Sequence, residues 1–486
     1  MPYRIEAIEL YVRETKPGRM AFALGKQGGT GDVKEGLLNP LGHVRLVLKD
    51  SDGNETFGCA GDRLSVRWLD KRPDRTMDQK RRELVDLIYA AREIALKHRE
   101  FETPFAFWKS IYEEIQQAGR ATNQEDLTSA LASSLMERAV IDAVCRMTGR
   151  SVFQAVKQDR LGIRPGDLYD ELRDVKLSEV LSEEPRTWFF IRHTIGGADP
   201  LTAADLPDAQ RVNDGLPETL EEYVKTDGLR YFKIKVSGDA DKDLTRLSKI
   251  WDVIVRAEQP VITLDANEAF ADLKQFAAFV SQFEHELVGM FQHVAYIEQP
   301  LSRSLSLDPR TSAEIQKLAE RKPLLIDEAD GKLRAFHEAH AIGYAGTSHK
   351  NCKGVIKSLL NLALVRHFLE QDQPAFLSGE DLQNLPVVPL HQDFATLGML
   401  NLEHCERNGH HYNYGLSMLS EREKSEIARL HRDLYIKHND EWFLKIREGA
   451  VDCESLQCPG FGVAFEPDWS SMTDMREWVR MRHPAN

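Results

Sequence analysis

Between Thr187 and Glu406 short β-rich runs alternate with amphipathic helical patterns, and no other feature of the sequence constrains the fold as tightly. The runs are TWFFIRHTI, YFKIKV, VITLDA, VAYIEQP, PLLIDEA, YAGTSHK, PAFLSGED and NLEHCE, with stretches such as DLTRLSKIWDVIVRAE and GVIKSLLNLALVRHFL between them. Strands separated by helices of this length read as βα units with parallel pairing. Eight runs in about 220 residues fit a closed barrel better than an open doubly wound sheet. The fold class expected is α/β, a (β/α) TIM-type barrel.

The flanks read differently. HVRLVLKD and ETFGCAG enclose SDGN, a turn sequence, and predict a hairpin over residues 43–60. MDQKRRELVDLIYAAREIALKH and DLTSALASSLMERAVIDAVCRMTG carry apolar residues at helical spacing, with the charge run from Lys80 to Glu83 expected on a solvated face. Together they make an α+β unit over residues 1–185, followed by the barrel over 186–415. The remainder, 416–486, contains EREKSEIARLHRDLYIKHNDEW and reads as polar helix and loop packing back on the first unit.

The balance of 63 basic against 77 acidic residues disfavours a nucleic-acid or anionic-membrane surface. No apolar run reaches the roughly 18 residues of a membrane span, and MPYRIEAIELYVRE lacks the apolar stretch of a secretory signal. Six cysteines scattered through 486 residues read as reduced thiols. A cytoplasmic, soluble, homo-oligomeric protein with no nucleic-acid or membrane partner is expected. GKQGGTG, residues 25–31, does not match a phosphate-binding loop.

The C-terminal ends of the strand runs are ionic, and in a barrel such ends converge on one mouth. In order they carry Lys233 and Lys235, Asp265, Glu298, Asp327 and Glu328, Lys350 and Lys353, Glu380 and Asp381, and Glu406. Any one acid there reads equally well as a helix cap. Their recurrence on successive strands does not. Asp265, Glu298 and Asp327 form an all-oxygen set suited to Mg²⁺, with Mn²⁺ as a substitute, and Glu328 competes with Asp327 for the third place. Asn267 stands where it can orient a bound water or a ligand carboxylate. Lys233 beside Lys235, with a divalent ion and Lys350 opposite, is expected to depress one amine far enough to take a proton.

These motifs, K-x-K at KIK, LDANEAF, YIEQPL, LIDEA and the lysine of SHKNCKG, resemble the enolase superfamily. The intervals from Lys235 to Asp265, Glu298, Asp327 and Lys350 in turn are 30, 33, 29 and 23 residues, each suited to one βα unit. The likeness is to the mandelate racemase/muconate lactonizing type, in its lysine-pair, muconate lactonizing-like branch, because LSGED at the seventh strand has no histidine.

The resemblance implies the modified (β/α)7β barrel, with an α+β capping domain built from the N-terminal part and the C-terminal tail, and GKQGGTG becomes a cap loop placing Lys26 and Gln27 near the substrate. It implies Lys235 and Lys350 as acid/base groups on opposite faces of a small carboxylic acid, with Lys233 assisting Lys235. The reaction is Mg²⁺-dependent removal of an α-proton through a metal-stabilised enediolate, making the protein an isomerase or lyase by racemisation, epimerisation, cycloisomerisation or syn-elimination. His349, Lys353, Glu380, Asp381, Glu406 and His410 are expected around the substrate. The alternatives are an acid-sugar dehydratase, a non-catalytic carboxylate-binding relative of the fold, and a Schiff-base aldolase that leaves the carboxylates unexplained.

Overall fold

In YRIEAIELYVR alternate apolar side chains need one face covered, and this run forms β1 (Tyr3–Arg13) of an antiparallel sheet with β2 (Leu41–Asp50) and β3 (Glu55–Arg63). The computed structural model describes residues 2–15, 40–407 and 414–482. The predicted hairpin is present. Its turn is held by the Asp50 carboxylate, which accepts from the backbone N–H groups of Asp52 and Asn54 at 2.9 Å each.

Helices α1 (Met77–Lys97), α2 (Pro104–Ala121) and α3 (Asp126–Met147) pack on this sheet. α3 is buried from Leu127 to Cys145 without a break, because sheet and barrel enclose it from two sides. Charged residues on such a helix need partners. Arg138 meets Asp62 at 2.8 Å with both side chains fully buried, and Asp142 accepts from Cys59 N–H at 2.8 Å and Arg146 Nε at 2.9 Å. The expectation of a solvated Lys80–Glu83 face is corrected at Lys80, which is buried and donates to the Asp70 carbonyl at 2.9 Å. The apolar stem of a lysine fills that gap while its ammonium finds an acceptor.

The barrel strands are β4 (Trp188–Ile195), β5 (Tyr231–Lys235), β6 (Val261–Asp265), β7 (Val294–Glu298), β8 (Leu324–Ile326), β9 (Gly346–His349), β10 (Phe376–Gly379) and β11 (His404–Glu406). All eight pair in parallel, and β11 pairs with β4 to close the barrel. Each of the seven strand-to-strand connections carries a helix, as the expected (β/α)7β form requires. Register places Lys235 beside Asp265 and Asp265 beside Glu298, so these side chains form a row at the mouth.

Residues 416–482 reach both parts of the molecule. Ala450–Asp452 pairs antiparallel with β4, while Thr473–Asp474 pairs with β1 and buries Met475 and Trp478 in the core of the N-terminal sheet. Beyond the helix Glu421–Leu430 lies an antiparallel hairpin, Tyr435–His438 with Glu441–Leu444, in place of the expected loop. No described helix is long and apolar enough to cross a membrane.

The contact between β3 and α3 has no slack. A Cβ on Gly58 would lie 2.1 Å from the Ala139 carbonyl, which belongs to the α3 backbone. Gly58→Ala is expected to lower the unfolding free energy by about 1–3 kcal/mol, read as a lower urea midpoint by circular dichroism. An unchanged midpoint would show that α3 is not seated against β3 as described.

Candidate active site

Lys233 is the centre of the site. Inward positions on a barrel strand recur every second residue, so Lys233 and Lys235 of β5 point the same way, Lys233 one layer deeper. The Lys233 Nζ lies 2.9 Å from Asp265 Oδ2, 2.9 Å from Glu298 Oε2, 2.9 Å from Glu380 Oε2 and 2.8 Å from Glu406 Oε2. Lys233, Asp265, Glu298 and Glu380 are fully buried. A cation there without partners is untenable, and four carboxylates supply them.

Two more amines border the cluster. Lys235 Nζ donates to Asp265 and, at 2.8 Å, to Asn267 Oδ1. Asn267 has φ +43°, a left-handed conformation asparagine tolerates, and its amide donates to Glu328 Oε1 at 2.9 Å. On the far side, Lys350 Nζ lies 3.1 Å from Asp327 Oδ2 and 3.0 Å from Glu380 Oε2, and 4.6 Å from the centre of the Trp68 ring. Lys353 Nζ donates to Asp327 Oδ1 at 2.8 Å and to Ser348 Oγ at 2.7 Å. β5 and β9 stand four strands apart in a ring of eight, so Lys235 and Lys350 face each other across the mouth.

Other groups support these. Gln299, the residue after Glu298, accepts from the Asp327 N–H at 2.8 Å and the Ala329 N–H at 3.1 Å, fixing the end of β8. From the barrel floor Arg192 donates to Glu380 Oε1 at 2.7 Å and to Ser378 Oγ at 3.0 Å, and Thr194 donates to Glu406 at 2.5 Å. Sequence reasoning passed over Arg192 and Thr194. Their signal was the placing of Arg192 and Thr194 at alternate positions, on the same face of the strand run TWFFIRHTI.

Two expected contacts lie elsewhere. Asp381 pairs with Arg407. His349 faces outward, its Nδ1 2.7 Å from Ser358 Oγ on the following helix, and burial, with Lys353 next, pushes its pKa down to about 3. His410, like Lys26 and Gln27, lies outside the described residues.

At Lys233 and Lys350 the surroundings favour the charged amine. Burial opposes the charge of Lys233, but Asp265, Glu298, Glu380 and Glu406 outweigh it and hold its pKa well above the ordinary value. Lys350 behaves in the same way through Asp327 and Glu380. The lysines face more anions than cations. The carboxyls divide accordingly. Burial works against ionisation of Asp327, yet Lys350 and Lys353 bring its pKa down. Burial, with Asp265 and Glu380 adding like charge, pushes Glu298 well up, and burial with Asp327 pushes Glu328 up to about 7.

The donor set fits a divalent cation. One oxygen each from Glu298, Asp327 and Glu380 lie within 4.8 Å of one another. Glu298 Oε2 and Asp327 Oδ2 are buried and accept no well-formed hydrogen bond although ammonium nitrogens lie close by. Oxygen donors of this kind suit Mg²⁺. Asp265, the other expected ligand, is bonded to Lys233 and Lys235, and Glu380 stands in the converging set.

Solved structures resemble the chain over nearly its full length. A mandelate racemase/muconate lactonizing enzyme from Bordetella bronchiseptica RB50 superposes with a TM-score of 0.57 at 15% identity, over 98% of this chain and 99% of that one. The chain has the fold of these enzymes. The muconate lactonizing enzyme from Pseudomonas putida gives 0.53 at 13% identity, over 98% and 99%. A dipeptide epimerase from Cytophaga hutchinsonii, complexed with Mg and the dipeptide D-Ala-L-Val, gives 0.55 at 12% identity, over 97% and 98%. No family model matches the chain, and no curated protein matches it in sequence.

Lys233→Met tests the centre. Removing one buried ion and stranding its partners is expected to cost about 3–5 kcal/mol of stability, measured by urea denaturation. Glu298→Gln in the same background is expected to recover part of the loss by removing one of the stranded carboxylates. A Lys233→Met protein as stable as the parent would show that the four carboxylates do not depend on this ammonium.

Proposed function

We propose that the protein is an enolase-superfamily enzyme that removes the α-proton of a small carboxylic acid and returns a proton to, or expels a group from, the resulting dianion. The observation that carries this reading is the placement of two amines, Lys235 and Lys350, on opposite sides of one buried carboxylate cluster. The fold neighbours, a racemase/lactonizing type and an Mg-complexed epimerase, support the class.

In this reading Glu298 and Asp327 hold Mg²⁺, with Glu380 or Asp265 completing the set. When bound, the metal stabilises negative charge developing on the substrate carboxylate. Lys235 takes the α-proton at Nζ: the C–H bond breaks, nitrogen gains the proton, and the electron pair passes onto the carboxylate carbon and its oxygens. Asn267 aims the Lys235 amine by its 2.8 Å hydrogen bond. Lys350, on the other face, delivers its proton to the α-carbon and inverts it, or protonates a leaving group in an elimination. Lys233 keeps the remaining carboxylates neutralised and close to the substrate carboxylate.

Two experiments test this. Calorimetric titration with Mg²⁺ is expected to show binding reduced by at least tenfold in Glu298→Gln and in Asp327→Asn, since each loses an anionic oxygen donor. Unchanged affinity in both variants would remove the metal site. Incubation of paired enantiomers of α-hydroxy and N-acyl-α-amino acids in D₂O, followed by NMR, is expected to give exchange in the parent. Lys235→Ala and Lys350→Ala should each abolish turnover, yet retain exchange of the enantiomer facing the surviving amine. Ordinary turnover in either variant would defeat the two-lysine mechanism.

A further inference from the structure

Some barrel helices are capped by their own N-terminal side chains, and others, among them Ser312–Ala319, Ala335–Ile342, Val355–Leu369 and Val388–Met399, are not. Thr219, Asp239 and Asp272 accept backbone N–H groups at the starts of Leu220–Asp227, Ala240–Ile254 and Leu273–Glu286. The 15-residue helix Val355–Leu369, which follows Lys350, begins at Gly354 and has no side chain of its own there. Its cap comes from the N-terminal unit. Glu137 of α3, fully enclosed, accepts the Ile356 N–H at 2.6 Å, with the Val355 N–H as a second backbone neighbour. Gly354, at φ +107°, admits this carboxylate, since a Cβ there would lie 3.2 Å from Glu137 Oε2.

One turn earlier on α3, Ser134 donates to the carbonyl of Asn351. α3 therefore holds the segment Asn351–Ile356, directly after Lys350, at both ends. Arg138 fixes α3 in turn, donating to Asp62 at 2.8 Å and Gln392 at 3.2 Å, so the grip is registered against both sheet and barrel.

We propose that Glu137 is a positioning residue for Lys350, capping from the N-terminal unit the helix that follows β9 and so fixing the turn that aims the Lys350 amine across the site. This rests on the two-lysine reading for its catalytic meaning, and on the cap geometry alone for its structural claim. A backbone cap lost at this place releases the turn, and small misplacement of an acid/base group is costly to a reaction.

The test compares Glu137→Leu, which removes the acceptor, with Glu137→Gln, which keeps it, in the Mg²⁺-loaded protein. Trinitrobenzenesulfonate labelling read by peptide mass spectrometry is expected to show Lys350 reacting about five- to tenfold faster in Glu137→Leu, with Lys235 unchanged and Glu137→Gln like the parent. Ser134→Ala, a milder loss, is expected to raise Lys350 labelling about two- to fivefold. Exchange in D₂O is expected to fall about 10- to 100-fold on the face that Lys350→Ala abolishes, and to stay within about twofold on the other. Equal labelling of Lys350 in the parent, Glu137→Leu and Ser134→Ala would overturn the proposal, as would equal acceleration of both lysines or a Glu137→Gln protein that behaves like Glu137→Leu. Exchange that survives Lys350→Ala on both faces would instead defeat the two-lysine mechanism, and the labelling would still decide whether Glu137 holds the turn.

Discussion

One buried ammonium, that of Lys233, sets the terms for the rest of the barrel mouth. Carboxylates from four strands, β6, β7, β10 and β11, or the residues directly after them, lie within 2.9 Å of it. Without a cation between them these buried groups repel one another with little solvent screening. With it, the strand ends can close to the distance a barrel needs. The arrangement explains how strand ends this ionic can be buried at all, and why Arg192 and Thr194 rise from the floor to hold Glu380 and Glu406 from below.

The N-terminal unit does more than cover this mouth. α3 carries a polar face, Ser134, Glu137, Arg138 and Asp142, through a region buried on all sides, and each member answers a backbone or side-chain group that would otherwise be orphaned. Such a helix cannot slide or rotate without breaking several bonds at once. Its apolar neighbours fix its depth and its polar partners fix its register. The two parts of the molecule are thus joined by specific hydrogen bonds close to Lys350, while Trp68 stands over the same amine.

Much of this was legible in the sequence because barrel strands have a strict grammar. Each of the eight runs contains a strand, and the row Lys235, Asp265, Glu298 follows from strand ends one βα unit apart. What the sequence did not settle was decided by direction and by distant partners. His349 and Lys350 are neighbours, yet alternation along an extended backbone sends one outward to Ser358 and the other into the site. Asp381 and Glu380 divide in the same manner, with Arg407 claiming Asp381. Lys80 reads as one charge in a solvated run, and only the fold supplies the Asp70 carbonyl that buries it. Glu137 reads as a polar interruption of α3, and its partner lies more than 200 residues away.

Glu380 has the widest consequence for chemistry. At the end of the seventh barrel strand, where an imidazole would provide a titrating base, this chain places a carboxylate bonded to Lys233 and Arg192 and 3.0 Å from Lys350. Burial opposes its ionisation, but these three cations keep its pKa well below the ordinary value and favour the anion. Its work is electrostatic. It draws Lys350 inward and shares Lys233 with Glu298, and one of its oxygens lies within 4.8 Å of an oxygen of Glu298 and one of Asp327. The seventh strand therefore contributes charge and position, and on the proposed mechanism proton transfer falls to amines on β5 and just past β9, which stand opposite each other in the ring.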